Sequence, residues 1–110
     1  MTYAVALVAV GNGDQARSIA HALVEQRLAA CVQIMPIESV YTWEGEVRHD
    51  DELLLLVKTR SELFPALEGA VRSLHDYDVP EIIMIEVTAG HNPYLTWLDT
   101  ALGTPDQVPP

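Results

Sequence analysis

Cationic side chains are scarce in this chain: 6 Lys and Arg stand against 16 Asp and Glu, for a formal net charge of −10. A nucleic acid or an anionic membrane is gripped by a basic face, so neither is an expected partner. The acidity permits cation binding without showing it; a solvated surface that keeps the protein soluble is the plainer account. Cysteine is scarcer still. Cys31 is alone, which excludes an internal disulfide and a Cys-x-x-Cys site and suits a reducing cytoplasm. The first residues lack a basic segment followed by a long apolar run, so neither a signal peptide nor a membrane span is expected. No Cys/His group has the spacing of a dedicated zinc site. No Ser/His/Asp set is legible, so catalysis is not expected. Linkers, repeats and low-complexity segments are absent as well.

Apolar residues are plentiful, at 49% of 110, which is ample for the core of one domain. That domain is expected over residues 1–103, with the proline-rich 104–110 as an extended tail. Tyr3 to Val10 reads as a first strand. Gly11-Asn12-Gly13 breaks it; a glycine loop ahead of a helix invites a phosphate, but no Lys-Ser/Thr follows, and the stretch reads as a turn. Asp14 is placed to cap a helix whose apolar face is Ala16, Ile19, Ala20, Leu23 and Val24, with Arg27 in its last turn. Strand two begins at Leu28, is interrupted by Pro36 at an edge or bulge, and resumes from Val40 to Trp43. Glu44-Gly45 turns the chain into a third strand, Glu46 to Thr59. This hairpin is polar as far as Glu52 and apolar from Leu53 to Val57. Thr59-x-x-Glu62 resembles a capping box for helix two. Pro65 lies in the first turn of that helix, and Leu63, Leu67, Ala70, Val71 and Leu74 face inwards. Helix three opens with Asn92 as cap and Pro93 at the first position. It turns Tyr94, Leu95, Trp97, Leu98 and Leu102 to the core and stops at Gly103.

The densest chemistry is His75-Asp76-Tyr77-Asp78-Val79-Pro80-Glu81. Pro80 pushes Val79 to an extended conformation, so a helix ends here and Ile82 to Val87 begins as a strand. His75, Tyr77 and Glu81 therefore sit at a helix-to-strand joint, a crevice where side chains converge on a ligand. The element order β-α-β-β-α-β-α is that of an α+β, ferredoxin-like split-βαβ sandwich: βαββαβ on an antiparallel sheet, plus a C-terminal helix. In that fold both helices of the repeat cover one face of the sheet. Half-covered strands alternate apolar and polar residues, yet Ala4–Val10, Leu53–Val57 and Ile82–Ile85 do not. Both faces must be dry, and self-association is expected to cover the second.

Leu28-Ala-Ala-Cys-Val32, Tyr41-x-Trp43-x-Gly45, Glu52-x-x-Leu-x-x-Lys58-Thr59, His75-x-Tyr77-x-x-Pro80-Glu81-Ile82 and Tyr94-x-x-Trp97 stand in one order and spacing. In this the chain resembles the CutA divalent-cation tolerance proteins over about residues 3 to 102. The resemblance implies a ferredoxin-like subunit, a tight homotrimer built like the PII signalling proteins, a cytoplasmic location in bacteria and copper(II) binding. Two departures stand out. The family's usual His-Pro-Tyr-Glu is here His75-Asp76-Tyr77-Asp78, which frees φ at position 76 and shortens one carboxylate by a methylene. Gln33 stands where Asn is usual.

Two accounts compete for the candidate residues. An intersubunit ligand cleft would draw on Trp43, Lys58, His75, Tyr77, Glu81, Tyr94 and Trp97. The same residues would serve as a structural hydrogen-bond network at a subunit junction. Lys58 closes a dry run and needs a carboxylate, with Glu81 or Glu86 as the expected partner. For a metal, His75 is the first candidate, with Glu81 orienting its other ring nitrogen. Cys31 is the soft second candidate, although a lone Cys in an apolar strand reads more simply as a core residue. His49 with Asp50, Asp51 and Glu52 suits either a divalent ion or a charged arm that discourages aggregation. No resident cofactor is expected. Copper(II) uptake should be weak and should fade below about pH 6, because a ligating histidine must be neutral. The leading reading is a trimeric, non-catalytic divalent-cation tolerance protein that binds metal ions, copper(II) first. The alternative is a PII-like signalling trimer that takes a small anionic metabolite in its intersubunit clefts. A small enzyme with His75 and Glu81 as acid and base stands third.

Overall fold

The computed structural model describes residues 2–103; the tail expected at 104–110 lies outside the described residues. The elements are β1 (Tyr3–Val10), α1 (Gly13–Glu25), β2 (Cys31–Trp43), β3 (Glu46–Arg60), α2 (Phe64–Leu74), β4 (Ile82–Glu86) and α3 (Asn92–Leu102), with a 3-10 turn at Ser61–Leu63 leading into α2. The strands form one sheet in the order β2-β3-β1-β4, and every neighbouring pair is antiparallel. This is the α+β, ferredoxin-like split-βαβ arrangement that the element order predicts.

Alternation along each strand assigns the faces. Ala4, Ala6, Val8 and Val10 of β1 lie opposite Thr59, Val57, Leu55 and Leu53 of β3. α1 and α2 cover this face through Ile19, Leu23, Leu67 and Val71, which are fully buried. The other face carries Val5 and Leu7 of β1, Leu54 and Leu56 of β3, and Ile83 and Ile85 of β4. α3 covers one corner of it, where Leu98 and Leu102 pack with Ala30 and Leu63. Ile83 and Ile85 stay 50% and 54% exposed. The strands that fail to alternate do have two apolar faces, and a single chain leaves the second partly wet.

A buried cation fastens α3. Arg60 ends β3 with only 1% of its surface exposed. Its Nη1 donates to Asp99 Oδ1 at 3.3 Å and its Nη2 to the Gly103 carbonyl at 2.9 Å. Asp99 also accepts from the Tyr3 hydroxyl at 2.7 Å. Arg60 Nε lies 3.1 Å from Glu62 Oε1 but off hydrogen-bond alignment, so that contact is ionic only.

β2 and β3 pair from Cys31 opposite Lys58 to Trp43 opposite Glu46. Glu44 and Gly45 turn the hairpin with φ of 50° and 80°, the two positive values that a tight two-residue connection requires. Glycine adopts this region freely and glutamate does not. The outer half of the hairpin is exposed on both strands.

Several local expectations are corrected. Asn12, not Asp14, caps α1, accepting from the Gln15 amide at 2.9 Å; Asp14 pairs with Arg17 instead. α1 ends at Glu25, leaving Arg27 outside it with a φ of 58°. β2 starts at Cys31 rather than Leu28 and runs unbroken through Pro36, which lies opposite Leu53 on an edge strand where a missing N–H does little harm. Thr59 is no helix cap. It belongs to β3, and its hydroxyl donates to the Leu28 carbonyl at 2.8 Å. α3 begins at Asn92 with His91 in the cap position, so Asn92 does not cap it. Leu74, Val24, Tyr94 and Trp97, expected inside, are exposed. Helical periodicity finds a face but does not say how far the sheet beneath it extends.

Candidate functional site

The joint between α2 and β4 is held by its histidine. His75 ends α2, with its amide donating to the Val71 carbonyl at 2.9 Å. Its Nε2 bonds the Ala9 carbonyl at 2.7 Å, and its Nδ1 accepts from the Tyr77 amide at 3.1 Å. A carbonyl can only accept and an amide N–H can only donate, so these partners assign the Nε2–H tautomer. Both ring nitrogens are thereby spent, Nε2 tying the joint to β1 and Nδ1 closing the joint on itself. Glu81, expected to orient the ring, takes no part in this.

Tyr77 follows two residues on, with its ring 4.7 Å from the His75 ring. Its phenol reaches over the β1–α1 loop to Gly11, where a Cβ would come within 2.8 Å of the hydroxyl. The hydroxyl donates to Glu52 Oε2 at 3.0 Å. Burial, then the hydrogen bond to Glu52, push the Tyr77 phenol up to about 12. On the hairpin Tyr41 donates to Asp50, and that bond chiefly raises its phenol too. The alternation of β2 and β3 puts Tyr41 and Trp43 on the side that carries Arg48 and Glu52. Between this side and the joint lies a cleft of about 710 Å³, whose lining includes Trp43, Tyr77 and Glu81 from the expected set.

The unusually high Tyr77 value has a measurable consequence. An unfolded tyrosine ionises near about 10. A folded-state value raised above it gives stability that is complete below that pH and is lost as pH climbs through about 12. Spectrophotometric titration should show one phenol ionising after the others, and Tyr77→Phe should remove that last step. If the late step survives the substitution, Tyr77 is not the phenol that ionises last.

The rest of the expected set lies elsewhere. Lys58 is on the open sheet face opposite Val5 and Cys31, and its Nζ donates to Gln33 Oε1 at 2.8 Å. A neutral amide, not Glu81 or Glu86, thus satisfies the half-buried ammonium. Tyr94 and Trp97 stack on α3 at 5.5 Å. Burial, then the nearby Cys31 thiol, raise the Tyr94 phenol. One chain therefore forms two groups: the cleft with Trp43, Tyr77 and Glu81, and a patch with Lys58, Cys31, Tyr94 and Trp97. Cys31 and His75 do not meet. Cys31 pairs with Lys58 of β3, level with Val5 of β1, whereas His75 bonds Ala9; along the strand those two levels are about 13 Å apart at roughly 3.3 Å per residue. Among the described residues no three His, Cys, Asp or Glu side chains converge as a metal site. Tyr41, Arg48 and the Tyr77–Glu52 bond escaped the sequence reading of the cleft. Counting back by two from Trp43, and across the hairpin from Glu44-Gly45, would have found the first two.

The sequence profile of the CutA1 divalent ion tolerance proteins matches residues 4–101. The chain belongs to this family. The divalent-cation tolerance protein CutA of Thermus thermophilus is 53% identical over 95 residues, 86% of this chain and 92% of that protein. Human protein CutA is 48% identical over 94 residues, 84% of this chain but 52% of its own length, so the chain spans about half of that relative. The solved structure of the Archaeoglobus fulgidus protein, described as a periplasmic divalent cation tolerance protein, aligns with a TM-score of 0.90 at 35% identity, covering 92% of this chain and 99% of that one. The family is one of divalent-cation tolerance, and its fold is the fold seen here. Among the described residues no helix is long and apolar enough to cross a membrane.

Proposed function

We propose that this chain is a non-catalytic, homotrimeric divalent-cation tolerance protein of the cytoplasm that acts by binding metal ions, copper(II) first. The observation behind the assembly is the open sheet face. Val5, Leu7, Leu54, Leu56, Ile83 and Ile85 share it, and further copies of the chain would remove it from water. Three copies, rather than two, follows the PII-like family resemblance. A neighbouring copy is then the means of bringing the Lys58–Tyr94–Trp97 patch to the cleft at Trp43, Tyr77 and Glu81. Cys31, half-buried and unpaired, suits a reducing compartment. Light scattering at micromolar concentration should return the mass of three chains; a stable folded monomer would refute the assembly.

For the metal, the geometry favours the hairpin arm over the joint. His75 would have to break a bond to Ala9 or Tyr77 before it could ligate. His49 Nε2 instead lies 3.0 Å from Glu38 Oε1, both side chains are exposed, and Asp51 is on the same face. An imidazole with one neighbouring carboxylate takes copper(II) ahead of zinc by the Irving–Williams order, and so exposed and incomplete a pair binds weakly. Calorimetric titration should show weak copper(II) uptake by the wild type, lost in His49→Ala and retained in His75→Ala. The opposite pattern would return the metal to the joint. Within one chain Glu52, Asp78 and Glu81 outnumber Arg48 in the cleft's lining, so an anionic metabolite there depends on Lys58 of a neighbouring copy.

A further inference from the structure

We infer that Lys58 forms its ion pair across the subunit boundary, with Glu81 of a neighbouring copy, and that this pair fixes which end of one open sheet face meets which end of the next. The inference rests on the assembly proposed above. Lys58 is the only lysine of the chain. Strand alternation puts it on the open face, in a β3 row that reads Glu52, Leu54, Leu56, Lys58. The row on β4 holds Ile83 and Ile85, and Glu81 continues it one residue before the strand begins. The face is therefore apolar in the middle, with its lysine at one end and Glu52 and Glu81 at the other.

Within one chain the two ends do not meet. Lys58 lies level with Val5 of β1, and Glu81 directly precedes Ile82, which lies opposite Val8. Those levels are about 13 Å apart along the strands at roughly 3.3 Å per residue. Glu52 is farther still, six residues back along β3. Glu86 is nearer, but it lies opposite Ala4, on the face that the helices cover. The acceptor at the Lys58 end is Gln33 Oε1, at 2.8 Å. A neutral amide suffices while water reaches the ammonium. Once a neighbouring copy covers the face it does not, because a charge taken out of water without a counter-charge is costly. A copy set with its acidic end over Lys58 supplies that counter-charge. Glu52 already accepts from the Tyr77 hydroxyl, which leaves Glu81 to receive the ammonium. The reverse setting would bring acidic ends together in a chain of net charge −10, so the pair also selects the register of association.

The test treats the full chain with a water-soluble carbodiimide, which joins an amine to a carboxylate in contact with it as an amide, with loss of water. Denaturing gels should show crosslinked dimers and trimers from the wild type. Lys58→Arg keeps the charge but does not couple, and should lose them. Mass spectrometry of the crosslinked peptides should place the amide between Lys58 and Glu81. Charge exchange gives a second measurement. Lys58→Glu and Glu81→Lys should each raise the concentration at which light scattering shows half dissociation, by about thirtyfold. Both substitutions in one chain should bring it back to within about threefold of wild type. No intersubunit amide at Lys58, an amide to another carboxylate, or a double exchange no better than the worse single variant would overturn the inference. A wild type that scatters as a monomer would refute the assembly itself; a trimer without the crosslink would refute the pair alone.

Discussion

Leu55→Asp should leave no folded protein at all. Leu55 is 0% exposed and sits in an inner strand, between Val8 of β1 and Ile34 of β2, with α1 and α2 packed over that face. Removing its side chain to alanine would cost about 2–5 kcal/mol through lost burial and a residual cavity. Aspartate adds a carboxylate with no donor to receive it, and a buried polar group without a partner costs further kcal/mol. A domain of this size has a total of only about 5–15 kcal/mol to lose. Far- and near-ultraviolet circular dichroism should show no cooperative thermal transition, and no assembly should form. Val47→Asp, at a hairpin position 78% exposed, should leave the transition within about 0.5 kcal/mol of wild type. A cooperative, assembled Leu55→Asp protein would mean that this face is not the core.

Asp99→Ala should be the costliest substitution among the visible polar contacts. It removes the hydrogen-bonding carboxylate from the buried Arg60 and the acceptor from Tyr3 at once. Arg60 then keeps the Gly103 carbonyl and the unaligned Glu62, which is poor company for a buried charge. Breaking a buried pair from one side costs about 3–5 kcal/mol; the partial exposure of Asp99 reduces the expectation here to about 2 kcal/mol. In a domain of this size that lowers the melting temperature by roughly 8–16 °C. Arg60→Met should cost less, about 1 kcal/mol, since it removes the buried charge itself and leaves the two acids free to meet water. If Arg60→Met proves the more damaging, the cation is contributing more than its own burial costs.

Much of the architecture is legible in local pattern. The Glu44-Gly45 turn stands where two positive φ values are required, and Pro80 ends the joint before β4. What local pattern misses is depth. Tyr94 and Trp97 fall at helical spacing with Leu98, yet in one chain they stay 41% and 47% exposed while Leu98 is buried. Arg60 looks like any surface arginine in the sequence, and it is among the most buried residues of the chain. The candidate site splits along the same line. Trp43, Tyr77 and Glu81 come together because β2 and the joint meet at one edge of the molecule, whereas Lys58 is carried to the other group by the register of β3.

By itself the sequence determined the element order, the antiparallel hairpin and the presence of apolar residues on both sheet faces. Each of these depends on neighbours in the chain: periodicity, turn chemistry and the fixed φ of proline. Only the tertiary structure decided what His75 and Lys58 do. Their partners, the Ala9 carbonyl and Gln33 Oε1, lie 66 and 25 residues away. A histidine satisfied by a distant carbonyl and one free to ligate have the same local sequence, and so do a lysine paired with an amide and one paired with a carboxylate. The difference lies in which polar atom packing presents to them, because a buried donor or acceptor must be satisfied by whatever the fold places beside it.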